Sequence, residues 1–189
     1  MLAIWIALVT ALTAGCGYNE VIEKDEDVKA TWSEVQNQYK RRADLVPNLV
    51  NVVKGSANFE QETLTKVIEA RASVGKINVD ASTIDDPAKL AQFEAAQNKL
   101  SGALGRLLAV SESYPDLKAS AAFRDLQVQL ESTENRVAVA RKRYIESVAE
   151  YNKSVLRFPS SLGASLRGKK ERPNFTGNPA DEEAPEVKF

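Results

Sequence analysis

The stretch Tyr39-Lys-Arg-Arg-Ala-Asp-Leu-Val-Pro-Asn-Leu-Val50 decides how the helices of this chain are arranged. Before it, apolar residues recur every three or four positions, at Val28, Trp32, Val35 and Tyr39. This spacing predicts the buried side of a helix. The next step of the pattern reaches Arg42, so an arginine occupies a position where a hydrophobic residue is expected.

Pro47 predicts a break in this helix. Proline has no amide hydrogen and disfavours a helical conformation at the residue before it, which is Val46. We therefore expect the first helix to end or kink just before Pro47. Asp44 then lies where it can cap the helix that follows.

The apolar spacing continues through most of the chain and predicts an all-α fold. Four main helices are expected over residues 18–42, 45–77, 87–113 and from 117 or 120 to 158, with Asp86 and Pro87 starting the third. The last helix is the longest, and at 1.5 Å per residue it is about 60 Å long. Because a helix of that length needs an extended partner, we predict an elongated antiparallel bundle. No segment alternates like a strand, so no sheet is expected.

The chain divides into four predicted regions. Residues 1–16 are an apolar leader or membrane anchor, and residues 17–158 form the bundle. Residues 159–175 are expected to pack back on it, with a short helix between Ser160 and Gly168. Residues 176–189 carry Asp181, Glu182, Glu183 and Glu186, and their composition is typical of a disordered acidic tail.

Composition excludes several classes of function. The chain has 25 basic and 26 acidic residues, so no global charge favours nucleic acid. It has no histidine and a single cysteine, Cys16, which removes the usual zinc sites, histidine-dependent catalytic triads and internal disulfides. No catalytic, metal or cofactor site is predicted, and we do not expect an enzyme.

The uncharged run from Met1 to Cys16 ends in Thr13-Ala-Gly-Cys-Gly17, which is similar to the cleavage and lipidation site of bacterial lipoproteins. On this interpretation Cys16 is lipidated and becomes the first residue of the mature protein. An uncleaved membrane helix and a plain secretory leader are the alternatives. All three place the charged body at or beyond a membrane.

Arg42 and Arg71 both fall on apolar faces of predicted helices. A buried guanidinium must meet an acceptor or extend its charged end to solvent. The polar residues near these faces are Asp44, Asn48, Gln97 and Glu134. We predict a polar lock that fixes the relative positions of the helices, with a ligand site built from the same residues as the alternative.

Arg167, Lys169, Lys170 and Arg172 form a basic cluster near the C-terminus. A solvated terminus is one interpretation of this cluster. A contact surface for anionic lipid headgroups or an acidic partner is the other.

Several motifs together resemble the LemA family of bacterial membrane-associated proteins. They begin at Tyr18 and Trp32 and end near Phe175. Their central residues are Tyr39, Arg41, Arg42, Asp44, Leu45, Pro47, Asn48, Leu49, Glu69, Arg71, Tyr151, Asn152, Phe158, Pro159 and the Glu171-Arg-Pro173 run.

The resemblance implies a bundle of long helices held at a membrane of the cell envelope, on the periplasmic side. It also implies an association with membrane peptidases and envelope stress, and one relative belongs to magnetosome membranes. We expect a non-enzymatic scaffold or adaptor with an unidentified protein partner. A self-assembling oligomer on the membrane surface is the first alternative, and a small-ligand receptor or enzyme is the second.

Overall fold

The computed structural model describes residues 2–56 and 59–175, with side chains at 19–56, 59–80 and 82–175. These residues form helices α1 (Leu2–Lys54), α2 (Gln61–Gly75), α3 (Pro87–Ser111), α4 (Pro115–Ala119), α5 (Ala121–Leu156) and α6 (Ser160–Leu166), with a 3-10 turn at Ala81–Ile84. Within these ranges there is no strand. The prediction of an all-α fold without a sheet is confirmed.

Helix α1 contains Pro47 in its interior and continues to Lys54. The first helix therefore does not end before Pro47, and the prediction that Asp44 caps a second helix is wrong, whereas a kink at Pro47 stays a prediction. Val46, Leu49 and Val53 are all buried on the core side of α1, so tertiary packing extends the helix past the proline. The helix ends instead at Gly55, whose amide donates to the carbonyls of Asn51 and Val52.

Helices α1 and α5 run antiparallel along the length of the bundle. Their side chains meet at Thr31 and Ser147, at Tyr39 and Arg141, and at Arg42 and Glu134. α5 has 36 residues and begins and ends within a few residues of its predicted bounds. It is not the longest helix, however, because α1 has 53 residues. The predicted first helix and the start of the predicted second helix are one element.

Helix α3 begins where the sequence predicts. The Asp86 side chain accepts hydrogen bonds from the amides of Ala88 and Lys89, and Pro87 is in the first turn. α2 packs against α3, and both lie beside the C-terminal part of α1. The buried apolar residues form two clusters, one around Trp32, Phe93 and Tyr144 and the other around Leu49, Leu100, Leu107 and Phe123.

The segment after α5 returns along the bundle. α6 packs against α1, and the chain then continues in an extended form to Phe175, which is buried. The Phe175 ring centroid is 5.0 Å from that of Tyr144 and 6.0 Å from that of Trp32. The predicted acidic tail, and the side chains of the predicted leader, lie outside the described residues. Among the residues that were described, no helix is both long and apolar enough to cross a membrane.

Candidate functional site

Arg42 is the centre of a polar layer that joins α1, α3 and α5. Its side chain is 1% exposed. Nη1 lies 2.9 Å from Glu134 Oε1 on α5 and also donates to the Ser101 hydroxyl on α3. Nη2 donates to the side-chain oxygen of Gln97 at 2.7 Å and to the Gln97 carbonyl at 3.0 Å. The polar lock predicted for Arg42 is therefore present, with Gln97 and Glu134 as two of its acceptors.

This layer separates the two apolar clusters. On α1, Tyr39 belongs to the first cluster and Val46 to the second, and Arg42 lies between them. On α3 and α5, Gln97 and Glu134 occupy the corresponding positions. An arginine with these acceptors fits only one alignment of the three helices, because sliding any helix by a turn would leave a buried charge without acceptors.

Arg71 is placed differently from Arg42. It is exposed on α2, and its Nε donates to the carbonyl of Ala43 at 3.1 Å. In a regular helix the Ala43 carbonyl would accept from the amide of residue 47, four positions later. Residue 47 is proline and has no amide hydrogen. Arg71 therefore supplies the donor that Pro47 lacks and attaches α2 to α1 at that point.

Arg141 links α5 to both of its neighbours just above the polar layer. Nη2 lies 2.9 Å from the Glu94 carboxylate on α3, and Nη1 donates to the Tyr39 hydroxyl on α1 at 2.9 Å. The guanidinium also covers the ring of Phe175, with its carbon 4.2 Å from the ring centroid. One cation thus contacts α1, α3 and the returning C-terminal segment.

A second buried ion cluster lies around Asp25. This carboxyl is 3% exposed. Oδ2 is 3.0 Å from both Lys29 and Lys169, and Oδ1 is 2.9 Å from Arg172 Nη1. Arg172 is 9% exposed, and its Nε also donates to Asp85 at 2.7 Å. The cluster joins α1 and the segment after the 3-10 turn to the C-terminal extension.

The surroundings of Asp25 act on its pKa in opposite directions. Burial raises the pKa, whereas hydrogen bonds from Lys29 and Lys169 and the charge of Arg172 lower it, and the net shift is downward from 3.8. The folded protein therefore favours the ionised carboxylate.

The extension is also held through its backbone. The Asn152 side chain donates to the carbonyl of Arg172 and accepts from its amide, both at 2.9 Å. The Tyr151 hydroxyl donates to the carbonyl of Lys170 at 3.1 Å. These two neighbours on α5 thus hold residues 170–172 against the bundle.

A sequence model of the LemA family matches residues 31–189, which is most of the chain. The chain belongs to the LemA family. The magnetosome protein MamQ of Magnetospirillum gryphiswaldense is 26% identical, over 93% of this chain and 70% of that protein. The magnetosome protein MamQ 2 of Paramagnetospirillum magneticum is 25% identical, over 86% of this chain and 66% of that protein.

The protein LemA of Metamycoplasma hominis is 25% identical, over 74% of this chain and 60% of that protein. The chain therefore spans about two thirds of the length of these curated relatives. None of their names is the name of an enzyme.

The structure divides the signature residues of the LemA resemblance into buried and exposed groups. The buried ones are Tyr39, Arg42, Leu49 and Tyr151. Leu45, Pro47, Asn152 and Pro159 are half-buried, and the exposed ones are Arg41, Asp44, Asn48, Glu69, Arg71 and Phe158. Asp44 pairs with Lys40 at 2.7 Å and does not contribute to the Arg42 layer. Phe158, at the end of the predicted last helix, is 79% exposed.

The four basic residues of the predicted contact cluster do not form one exposed strip. Arg172 and Lys169 bind Asp25 inside the molecule, whereas Arg167 and Lys170 are exposed. In the acidic run 23–27, Asp25 is buried, whereas Glu23, Glu26 and Asp27 are exposed. Contact of the remaining basic residues with lipid or a partner stays a prediction.

Asp25 is the main residue that the sequence reasoning missed. It had a signal, because Val21, Asp25, Val28 and Trp32 continue the spacing of four, three and four toward the N-terminus. Arg141 and Glu94 had no such signal, since they flank the apolar faces of their helices. Their pairing depends on how α3 and α5 pack.

The arrangement has the features of a structural framework. No group of three or more His, Cys, Asp or Glu residues that suits a metal ion occurs among the described residues. A groove of about 560 Å³ between α1, α2 and α3 is lined in part by Tyr39, Arg71 and Phe93 and is open to solvent. The buried charges described above form ion pairs between elements of the bundle, although Arg42 Nε has no hydrogen-bond partner among the described residues.

Proposed function

We propose that this LemA-family protein is a membrane-anchored scaffold or adaptor of the bacterial cell envelope without a catalytic activity of its own. Its anchor is the lipid on Cys16, the apolar residues 1–15 are the leader that directs export, and its helical body lies on the periplasmic side. No cofactor is part of the proposal. The partner is another envelope protein, and a membrane peptidase is the class that the family resemblance suggests.

The observation that carries the proposal is the continuity of α1. One helix, Leu2–Lys54, runs without interruption from the apolar N-terminal sequence through Cys16 and forms the central axis of the bundle. From Cys16 to Lys54 it is about 60 Å long at 1.5 Å per residue. The polar layer at Arg42 and the ion cluster at Asp25 fix other helices to this axis. Such a body holds exposed helix faces at a defined distance from its anchor.

Anchoring is tested by cell fractionation of the full chain and of Cys16→Ser. A lipidated protein stays with membranes through alkaline carbonate washing and gives an acylated N-terminal Cys16 peptide in the mass spectrum. We expect Cys16→Ser to lose the acyl chains and to keep an uncleaved N-terminal peptide that begins at Met1. Recovery of the unmodified full chain in the soluble fraction would contradict anchoring.

The adaptor role requires a free surface on the bundle, and α5 offers one. Val128 and Val139 are 64% and 51% exposed. They border a groove of about 650 Å³ between α5 and α1, together with Glu34, Gln38 and Arg143. A groove that presents exposed valines among polar and charged side chains fits a protein segment.

A photo-crosslinking residue at Val128 or Val139 tests this surface in intact cells. We expect a cross-linked product with a different envelope protein, and none from the matched position Ile68, an exposed apolar residue on α2. Identical products from all three positions would contradict a specific partner surface.

The same groove favours a second candidate, lateral self-assembly on the membrane. The apolar residues Val128 and Val139 are three turns apart on one side of α5, so a helix from a second copy can pack along them. In this case the cross-linked product has twice the mass of the chain. Size measurement in mild detergent separates the candidates, because a strict monomer contradicts self-assembly and leaves the adaptor role intact.

A further inference from the structure

Four large apolar side chains are exposed around the turn from α5 to α6. Their exposed fractions are 64% for Leu156, 79% for Phe158, 58% for Leu162 and 87% for Leu166. A soluble protein rarely exposes several large apolar residues so close together without a partner surface. We refer to these four residues as the end patch.

Two residues of the end patch, Leu162 and Leu166, lie on the side of α6 that faces away from the core. Ser160 and Ala164, one turn apart, are buried. Leu162 and Leu166 are each two positions further along, which is a rotation of about 200°. They therefore project from the side of α6 opposite to its contact with the bundle. The small residues on the inner side allow α6 to pack closely, and the leucines contribute little to that packing.

The register of α1 and α5 places the end patch beside the N-terminal part of α1. Thr31 contacts Ser147, with 2.7 Å between the two hydroxyl oxygens. Because the helices are antiparallel, Leu156 lies at the level of Ile22. The apolar run ends at Cys16, about 9 Å further along the axis of α1. The end patch thus lies at the end of the bundle from which the apolar segment extends.

Basic side chains border the end patch. Arg157 precedes Phe158, Arg167 follows Leu166, and Lys170 is nearby in sequence, and all three are exposed. Apolar side chains flanked by arginine and lysine fit the boundary between acyl chains and anionic headgroups. This chemistry differs from the groove on α5, which is lined by the carboxylates of Glu34 and Glu131 as well as by Arg136 and Arg143.

We propose that the end patch inserts into the surface of the anionic bilayer that holds the anchor. The bundle then contacts the membrane both at its anchor and at the end patch. This inference rests on the proposed anchoring at Cys16. The patch fixes the tilt of α1, which a lipid at Cys16 alone leaves free.

Photo-crosslinking to lipid tests this inference in the full chain. A diazirine amino acid is placed at Phe158 or at Leu162, and the matched control is Val128, an exposed apolar residue on α5 about 42 Å from Leu156 along the helix. Cells are irradiated, membranes are isolated, and protein–lipid adducts are identified by mass spectrometry. We expect phosphatidylglycerol adducts at positions 158 and 162 and none at 128.

The outcomes separate the two proposals. A chain that stays in the membrane fraction but gives no lipid adducts at 158 and 162 would overturn the inference and leave anchoring intact. Cross-links from these positions to protein in place of lipid would overturn it as well. A chain that leaves the membrane altogether would overturn both.

A triple variant tests whether the apolar side chains are needed for membrane contact. It combines Phe158→Ser, Leu162→Ser and Leu166→Ser. These substitutions change only exposed side chains, so the fold is expected to be kept, which circular dichroism checks. With the anchor still present, we expect loss of adducts from a diazirine at Leu156. Unchanged adducts at that position would show that the bundle contacts the membrane without these apolar side chains.

Discussion

Arg71 compensates for the amide that Pro47 lacks. The Nε of Arg71 on α2 donates to the carbonyl of Ala43, which a regular helix would pair with residue 47. A proline inside a helix removes one hydrogen bond, and here a side chain from another helix replaces it. The two residues are therefore coupled, although each was expected to act separately.

This coupling predicts the result of a double-mutant cycle. Arg71→Met is expected to reduce the free energy of unfolding by about 1 kcal/mol in the natural background, because it leaves the Ala43 carbonyl without this donor. In a Pro47→Ala background the helix supplies its own amide, and the same substitution should cost much less. Urea denaturation followed by far-ultraviolet circular dichroism measures both. Additive effects of the two substitutions would contradict the coupling.

The polar layer predicts a different kind of coupling. Gln97→Leu removes a buried acceptor of Arg42 and leaves part of the guanidinium unpaired, which is expected to cost about 1 to 3 kcal/mol. Arg42→Leu combined with Gln97→Leu removes both polar groups and should be less destabilising than the sum of the single changes. Gln92→Leu, on the exposed side of α3, is the control and should have little effect. If the double variant loses as much as the two single variants together, the layer does not behave as one unit.

The predictability of this fold differs from helix to helix. The three-four spacing identified α5 almost to its ends, since Phe123, Tyr144 and Tyr151 are buried as the pattern requires. The cap at Asp86 was predicted because capping depends on adjacent residues alone. The continuation of α1 through Pro47 was not, because local preference opposes it and the compensating donor comes from α2.

The candidate site, like the fold, was predictable from the sequence only in part. Arg42 was identified because it interrupts an apolar pattern, and Asp25 interrupts the same pattern 17 residues upstream. Both proved to be buried ion-pairing residues. The pairing of Arg141 with Glu94 depends on the rotation of α5 relative to α3, which no spacing within one helix contains.

Asp25 predicts a specific dependence of stability on pH. Burial raises its pKa, but its hydrogen bonds to Lys29 and Lys169 and the charge of Arg172 give a net lowering. A group whose pKa is lower in the folded state contributes stability above its unfolded pKa, and this contribution is lost as the pH falls through the folded value. The contribution of Asp25 is therefore full at neutral pH and decreases below about pH 4.

Asp25→Asn tests this dependence. At pH 7 we expect a loss of about 2 to 3 kcal/mol in the free energy of unfolding, because the buried Arg172 and the partly buried Lys169 lose their partner. As the pH is lowered below the ordinary pKa of aspartate, the difference between variant and natural protein should narrow. Asp27→Asn, an exposed position on the same helix, is the control and should show little difference at any pH. A constant difference from neutral to acid pH would contradict the prediction.

Two phenylalanines in the C-terminal region are expected to respond in opposite ways. Phe175 is 7% exposed and contacts Tyr144, Trp32 and Arg141, whereas Phe158 is 79% exposed. Phe175→Ala should cost about 3 kcal/mol, because it leaves a cavity in the first apolar cluster. Phe158→Ala should change the free energy of unfolding by less than about 0.5 kcal/mol. Equal effects in thermal or urea denaturation would show that the extension is not part of the cooperative core.

Three buried tyrosines differ in the hydrogen-bond partner of the hydroxyl group. The Tyr151 hydroxyl donates to the Lys170 carbonyl, and the Tyr39 hydroxyl accepts from Arg141. Among the described residues, the Tyr144 hydroxyl has no hydrogen-bond partner, and burial raises its pKa. Tyr151→Phe and Tyr39→Phe should each cost about 1 kcal/mol.

Tyr144→Phe is expected to be neutral or stabilising, because it removes a buried polar group that gains nothing in the folded state. The ring itself stays between Trp32 and Phe175, so the packing of the first apolar cluster is kept. Urea denaturation of the three variants under the same conditions gives the comparison. A loss at Tyr144→Phe as large as that at Tyr151→Phe would mean that the Tyr144 hydroxyl is satisfied in solution, and the order predicted from the hydrogen bonds would be wrong.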